Sequence, residues 1–157
     1  MQRRQLIAGG IAAAALPSFT FAQGLEKPKA TIAVGGKNLF YYLPLTIAEQ
    51  LGYFKDEGLD MTIVDFAGGS RALAAVVGGS ADVVSGAFEH TVNMQFKGQP
   101  MRAFVLQGAA PQIVLGYNPK TMPNFKGVAD LKGKKIGVTA PGSSTNVMAN
   151  FALAKVG

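Results

Sequence analysis

The sequence predicts an α/β fold built on a mainly parallel sheet covered by helices, and three observations carry that prediction. Short β-branched apolar runs alternate with amphipathic stretches of about ten residues, the spacing of βαβ crossovers. Glycine closes most of the helical stretches, and twice a Gly/Ser turn leads from the end of a strand directly into a helix. Charged residues make up only 15% of the 157-residue chain and hydrophobic ones 48%. An average globular protein carries about 25% charged residues, so the chain has the apolar material for a covered sheet and too much of it for disorder. No Gly-X-Y period, sustained heptad or internal repeat competes with this reading.

The first segment stands apart from the fold. Met1-Gln-Arg-Arg4 is a positive start, Leu6–Leu16 is an eleven-residue apolar run, and Thr20-Phe21-Ala22 places small residues at −3 and −1 of a peptidase site. The apolar run is shorter than the roughly 20 residues that span a bilayer. Residues 1–22 therefore read as a cleavable export signal, and Arg3-Arg4-Gln5-Leu6-Ile7 leaves the Sec and twin-arginine routes both open. Cleavage would remove Arg3 and Arg4 and bring the net charge from +6 to +4. The remaining cations are scattered except for Lys132, Lys134 and Lys135, so no basic stripe interleaved with aromatics marks a nucleic-acid partner. There is no Cys for disulfides, Fe–S clusters or thiolate-bound zinc.

From Lys29 the elements follow in order. Ala30–Val34 reads as a strand, and Pro44–Lys55 as a helix with Leu45, Ala48, Leu51 and Phe54 or Tyr53 on one face; Pro44 suits a first helical turn. Met61–Phe66 is a second strand, followed by Gly68-Gly69-Ser70 and a helix expected to turn Leu73, Val76 and Val77 inward. Asp82–Ser85 is a short strand, Phe88–Lys97 a helix ended by Gly98, and Arg102–Gln107 a further strand. Gln112–Tyr117 and Lys135–Thr139 read as strands separated by loops and a turn at Asp130–Gly133. Pro141–Thr145 then opens a helix bearing Val147, Phe151 and Leu153 or Ala154.

The chemistry concentrates where strands meet helices. In Ile63–Arg71 and Ile136–Thr145, glycines let the backbone turn tightly, and the first helical N–H groups lack intrahelical partners. Such a turn favours a carboxylate, phosphate, sulfonate or other electronegative group, while its hydroxyls serve equally well as helix caps. A nucleotide fits neither unit: Ser143 stands where a P-loop needs Lys, and the Gly-x-Gly-x-x-Gly pattern is missing. His90 is the only imidazole, which rules out two-His metal motifs, and no Gly-x-Ser-x-Gly elbow is present. Beside Glu89 at a strand-to-helix transition, His90 reads as a ligand contact or as a structural or exposed residue. Lys37–Leu43 follows the first strand, at the carboxyl edge where ligands of open α/β sheets bind. Its consecutive Phe40, Tyr41 and Tyr42 cannot all face one core; Phe40 or Leu43 suits the core, and Tyr41 and Tyr42 suit a cleft.

Three stretches, in this order, resemble a known family: Leu43-Pro-Leu-Thr-Ile-Ala-Glu-Gln-Leu-Gly-Tyr-Phe-Lys-Asp-Glu-Gly-Leu-Asp60, Gly78-Gly-Ser-Ala-Asp-Val-Val84, and Ala129-Asp-Leu-Lys-Gly-Lys-Lys-Ile-Gly-Val138 with Pro141-Gly-Ser-Ser144. The family is that of the periplasmic substrate-binding proteins of ABC importers for nitrate, sulfonate, taurine and thiamine-precursor-like ligands. The resemblance implies a two-lobed periplasmic-binding-protein type II fold, with residues 23–110 as the first lobe and 111–157 as the start of a second, truncated one. It implies an extracytoplasmic, periplasmic solute-binding component that closes on a small organic or oxyanionic ligand between its lobes. It also implies partnership with an ABC permease and its ATPase, membrane contact only through that permease, no cofactor or metal, and no enzymatic activity. Carried over by position, ligand contacts fall at Asn38, Phe40, Tyr41 and Tyr42, at Gly68, Gly69 and Ser70, at Gly86, Ala87 and Phe88, and at Ser143, Ser144 and Thr145. The alternatives on the same fold are an enzyme similar to the pyrimidine-forming thiamine-biosynthesis proteins and a receptor's ligand-sensing domain.

Overall fold

The computed structural model describes residues 25–110 and 112–157; the expected export signal at 1–22 lies outside the described residues. The chain is a mixed α/β structure with a parallel sheet. Strand β1 (Lys29–Val34) occupies the centre, β2 (Asp60–Asp65) and β3 (Val83–Ser85) flank it, and both pairings are parallel. The register sets Val34 opposite both Asp65 and Ser85, so all three strands end side by side.

The sheet centre is buried on both faces because β1 alternates large and small apolar residues. Ile32 and Val34 pack with Tyr42 and Leu45 on the side of α1 (Leu43–Gln50) and α2 (Tyr53–Asp56). Ala33 points the other way, against Ala72 and Ala75 of α3 (Gly69–Val77). Complete burial of Val34 contributes about 1.5–3 kcal/mol. The expected inward face of α3 is thereby corrected. Its two alanines make the contact, Leu73 and Val76 are half-buried, and Val77 is exposed, because a helix crossing directly over β1 comes closest where side chains are smallest.

One further expectation changes at a helix end. The helix read as Pro44–Lys55 divides into α1 and α2 at Leu51-Gly52, where Gly52 takes φ 79 and restarts the helix in a new direction. The helix after β3, α4 (Glu89–Phe96), ends before Gly98, whose φ of 71 suits a glycine stop. Lys27 pairs with Asp82, whose other oxygen accepts from the Thr31 N–H at 2.8 Å, tying the entry of β1 to that of β3. The Lys27 hydrogen bond, joined by the Thr31 N–H, holds the Asp82 carboxyl below its ordinary range.

After Met101 the expectation of strands is corrected. Arg102–Gln107, Gln112–Tyr117 and Lys135–Thr139 form no ladder among the described residues. A β-strand is defined by a backbone partner, and among the described residues these three segments form no backbone ladder with another. In the first two, apolar side chains stay in solvent, Phe104, Leu106 and Val114 among them, whereas Ile136 and Val138 of the third are half-buried. Gln107 still reaches the sheet, its Oε1 accepting from the Ser85 hydroxyl at 2.8 Å. A 3-10 turn at Val128–Leu131 is held by Asp130, which accepts from the N–H groups of Lys126 and Gly127, and α5 (Ser144–Ala154) closes the chain with no fully buried residue.

Candidate functional site at the carboxyl edge of the sheet

The parallel register delivers three loops to one edge. β1 leads into Gly35–Leu39 and the 3-10 turn Phe40–Tyr42, β2 into Phe66–Gly68 and α3, and β3 into Gly86–Phe88 and α4. The path from β2 to β3 passes over β1, whereas α1 and α2 cover its opposite face. The edge beyond β1 is thus where the winding direction switches, the position at which open α/β sheets leave a crevice.

Each loop is fixed by its own backbone. The N–H groups of Gly36 and Lys37 donate to Asp65 Oδ1 at 2.7 and 2.9 Å, and Lys37 Nζ pairs with Glu49 Oε2 at 2.6 Å, so the first loop is clamped to β2 and to α1. Behind it the chain runs closely against α3. A Cβ on Gly35 would lie 2.3 Å from the carbonyl carbon of Gly68 and from the Gly69 nitrogen, a separation only glycine permits. Gly68 itself takes φ 101, delivering the chain to α3 without a side-chain cap. Its carbonyl accepts from the Arg71 and Ala72 N–H groups, and among the described residues the Gly69 and Ser70 N–H groups find no acceptor. They carry the positive end of the α3 dipole.

The third loop brings side chains to the same point. His90 is only 4% exposed, and its Nε2 lies 3.1 Å from where a Cβ on Gly69 would stand. That Nε2 is buried with no hydrogen-bond partner among the described residues, and so is Oε1 of the preceding Glu89. Burial pushes the His90 imidazole below its usual pKa, with Glu89 acting in the opposite direction. Across the edge, burial and then the Glu89 carboxylate raise the pKa of Tyr41. Tyr42 is pushed up to about 12 by burial first, then by Tyr41 and Asp65, with a backbone hydrogen bond at Gly35 opposing.

The second Gly/Ser unit abuts the first. A Cβ on Gly68 would sit 3.1 Å from Thr139 Oγ1, and Thr139 belongs to a closed cluster of hydroxyls. Its Oγ1 and backbone N–H both meet Thr145 Oγ1 at 3.0 Å, and Thr145 Oγ1 lies 2.8 Å from Ser143 Oγ. Ser143, 1% exposed, is the N-cap of α5 and accepts from the Asn146 N–H. Its hydroxyl is spent on the helix start, whereas Ser144 is half-buried.

The predicted contacts therefore divide. Gly68, Gly69, Ser70, Gly86 and Ala87 gather around the α3 start and His90, and Thr145 and Ser143 approach it through Thr139. Phe88, 68% exposed, and Asn38 stand at the open side. The aromatic run is arranged contrary to its expected sorting: Tyr42 joins the core, Tyr41 meets it edge-on with ring centroids 5.0 Å apart, and Phe40 is 87% exposed, with Leu43 also in solvent. Tyr42 is carried inward because the 3-10 turn continues into α1 and shares its buried side with Leu45. Sequence reasoning did not single out Gly35, Asp65, Thr139 or Glu89 as site residues. The Gly35-Gly36 pair after a strand was a usable signal for the first, and the adjacency of Glu89 to His90 for the last; nothing local marked Asp65 or Thr139.

Comparison with known proteins places this arrangement. Residues 39–157 match the profile of the family described as NMT1/THI5 like, and the chain belongs to that family. Proteins named 4-amino-5-hydroxymethyl-2-methylpyrimidine phosphate synthase are similar to it. One from Saccharomyces cerevisiae is 29% identical over 72% of this chain and 33% of its own length. One from Legionella pneumophila is 26% identical over 71% and 34%. A solved structure from Bordetella bronchiseptica RB50 is 71% identical with a TM-score of 0.83, covering 86% of this chain and 42% of that one. The chain thus spans about a third of the length of the curated relatives it matches. These names correct the expectation of a chain without enzymatic activity, since the curated relatives are named as synthases.

Proposed function

We propose that this member of the NMT1/THI5-like family is the extracytoplasmic solute-binding component of an ABC importer. It captures a small organic or oxyanionic solute, of sulfonate, nitrate, taurine or pyrimidine type, at the carboxyl edge of its parallel sheet. One observation carries the reading: three loops from three parallel strands, the uncapped start of α3 and the Thr139–Thr145 cluster all meet there. Free N–H groups at a helix start and exposed aromatic rings at the rim are the equipment of a small-molecule site. In this reading residues 1–22 export the protein to the periplasm, 23–110 form the first lobe of a type II binding fold, and 111–157 begin the second. Further strands of the second lobe would pair with Gln112–Tyr117 and Lys135–Thr139. The permease and its ATPase would receive the ligand when the lobes open.

The curated relatives' names support a second reading, a pyrimidine-forming enzyme on the same fold. The two separate in one experiment. Full-length protein is mixed with sulfonates, nitrate, taurine and pyrimidines, and both its thermal stability and the fate of each compound are followed. A binding component is stabilised by about 2.7 kcal/mol at a hundredfold excess over Kd and returns its ligand unchanged. Phe88→Ala and Ser144→Ala together, at positions without structural burden, should weaken that stabilisation. A chemically altered product would establish the enzyme reading, and no shift with any compound would overturn solute binding.

A further inference from the structure

We propose that Glu89 sets the class of ligand this site accepts: an organic molecule presenting an N–H donor to the Glu89 carboxylate, with acceptor-only oxyanions excluded. The inference rests on the solute-binding reading and narrows it.

A glutamate in the first turn of a helix needs no special explanation, since the helix dipole favours it there. Glu89 goes beyond that. Its Oε1 is shut away from solvent, yet no donor reaches it, and among the described residues no cation pairs with it. Leaving a carboxylate oxygen buried and unmatched costs more than any single hydrogen bond returns, so such an atom is expected to be matched in the working state. Next to it the Nε2 of His90 is equally unmatched, in a side chain 96% removed from solvent and directed at the first residue of α3. Of these two atoms, His90 Nε2 faces the α3 start, whose N–H groups are also free among the described residues, and Glu89 lies on the side of Tyr41 and Tyr42, whose pKa values it raises, so the edge carries a donor wall and an acceptor wall.

The charges around the edge point the same way. Asp65 is committed to the Gly36 and Lys37 N–H groups and leaves its negative charge beside Tyr42. Lys37 is neutralised by Glu49, and Arg71, on the first turn of α3, is exposed. Nitrate or a simple sulfonate would meet the α3 N–H groups favourably but would bring a second anion to the edge that holds the half-buried Glu89 carboxylate, where like charges repel more strongly than in open water. A ligand carrying an acceptor and an N–H donor satisfies both walls. The ring of Tyr41, half-buried and edge-on to Tyr42, supplies a flat apolar side for a planar ligand.

The test compares two ligand classes on the full-length chain and on Glu89→Gln, which keeps the side chain's size but replaces its charge. Ethanolamine, nicotinamide and benzamidine present N–H donors; nitrate, sulfate and methanesulfonate present only acceptors. Binding is read by calorimetry, with circular dichroism confirming that the variant is folded, and Glu89→Asp provides a second charged variant. The expected result is binding of at least one donor probe by the wild type, loss of at least tenfold in Glu89→Gln, partial retention in Glu89→Asp, and a gain for an oxyanion in Glu89→Gln. Oxyanions binding the wild type as tightly as donors, or donors binding wild type and Glu89→Gln alike, would overturn the inference and leave the solute-binding reading standing. Failure of both classes to bind the wild type would sink the two together.

Discussion

Val34 and Val114 are the same residue in runs of similar apolar character, and they end in opposite surroundings. Val34 is completely buried at the carboxyl end of the central strand, with a strand on each side and a helix layer on each face. Val114 is 88% exposed in a segment that pairs with no strand among the described residues. Side-chain hydrophobicity does not by itself bury a residue. An extended backbone has to satisfy its N–H and C=O groups against another strand before its side chains can line a core. The first region achieves this with three short strands. The region after Met101 contains strand-like sequence and one well-capped helix, and its order comes mainly from local turns and hydroxyl networks.

The sharpest way to break this comparison is at the glycines. Gly35→Ala forces a Cβ to within 2.3 Å of backbone atoms that have no room to shift, and should cost about 3 kcal/mol or prevent folding. Gly116→Ala, with open space around it, should change stability by less than about 0.5 kcal/mol. Urea unfolding of both variants checks the pair, and equal effects would show that the two regions are packed alike.

The valines come next in size. Val34→Ala removes two methyl groups from a fully buried site and should cost about 2 kcal/mol, against almost nothing for Val114→Ala. A large loss at Val114 would mean that this segment is covered in solution. Ser143→Ala should cost about 1 kcal/mol, because it removes the cap of α5 and the partner of Thr145. The loss should appear in local hydrogen exchange at α5 while the amides of β1 remain protected.

The smallest effect is the pH dependence of the first region. His90 has a folded pKa below the ordinary 6.5, so folding favours its neutral form. The stability this contributes is complete above about pH 6.5 and is lost as the pH falls through that value toward the lower folded pKa. Urea midpoints measured from pH 7.5 down to 5.5 should therefore decline, and less steeply in His90→Gln. Parallel slopes for the two proteins would show that His90 titrates as freely in the folded chain as in the unfolded one.

Much of this molecule was legible from local pattern. The alternation of apolar runs and amphipathic stretches marked β1, β2, β3 and the helices between them, because both periods are properties of the backbone itself. Glycine stops and the Gly/Ser turns were equally visible, since they answer local dihedral and capping demands. The misreadings arose where a distant partner decides. Which residues of α3 face inward depended on its crossing over Ala33, and which ring of Phe40-Tyr41-Tyr42 entered the core depended on the turn running into α1. Three segments with the composition of strands form no ladder among the described residues.

The sequence by itself determined the mixed α/β class with its parallel sheet and the positions where β2 and β3 pass into helices. Only the tertiary structure decided that the turns converge, that the Ser143 hydroxyl is closed into a cap, that His90 presents an unmatched nitrogen to the start of α3, and that Glu89 buries an unmatched oxygen beside it in sequence. The reason is one of range. Dihedral preference and periodicity are set within a few residues, whereas the burial and pairing of a polar atom depend on chain segments brought together from far apart in sequence.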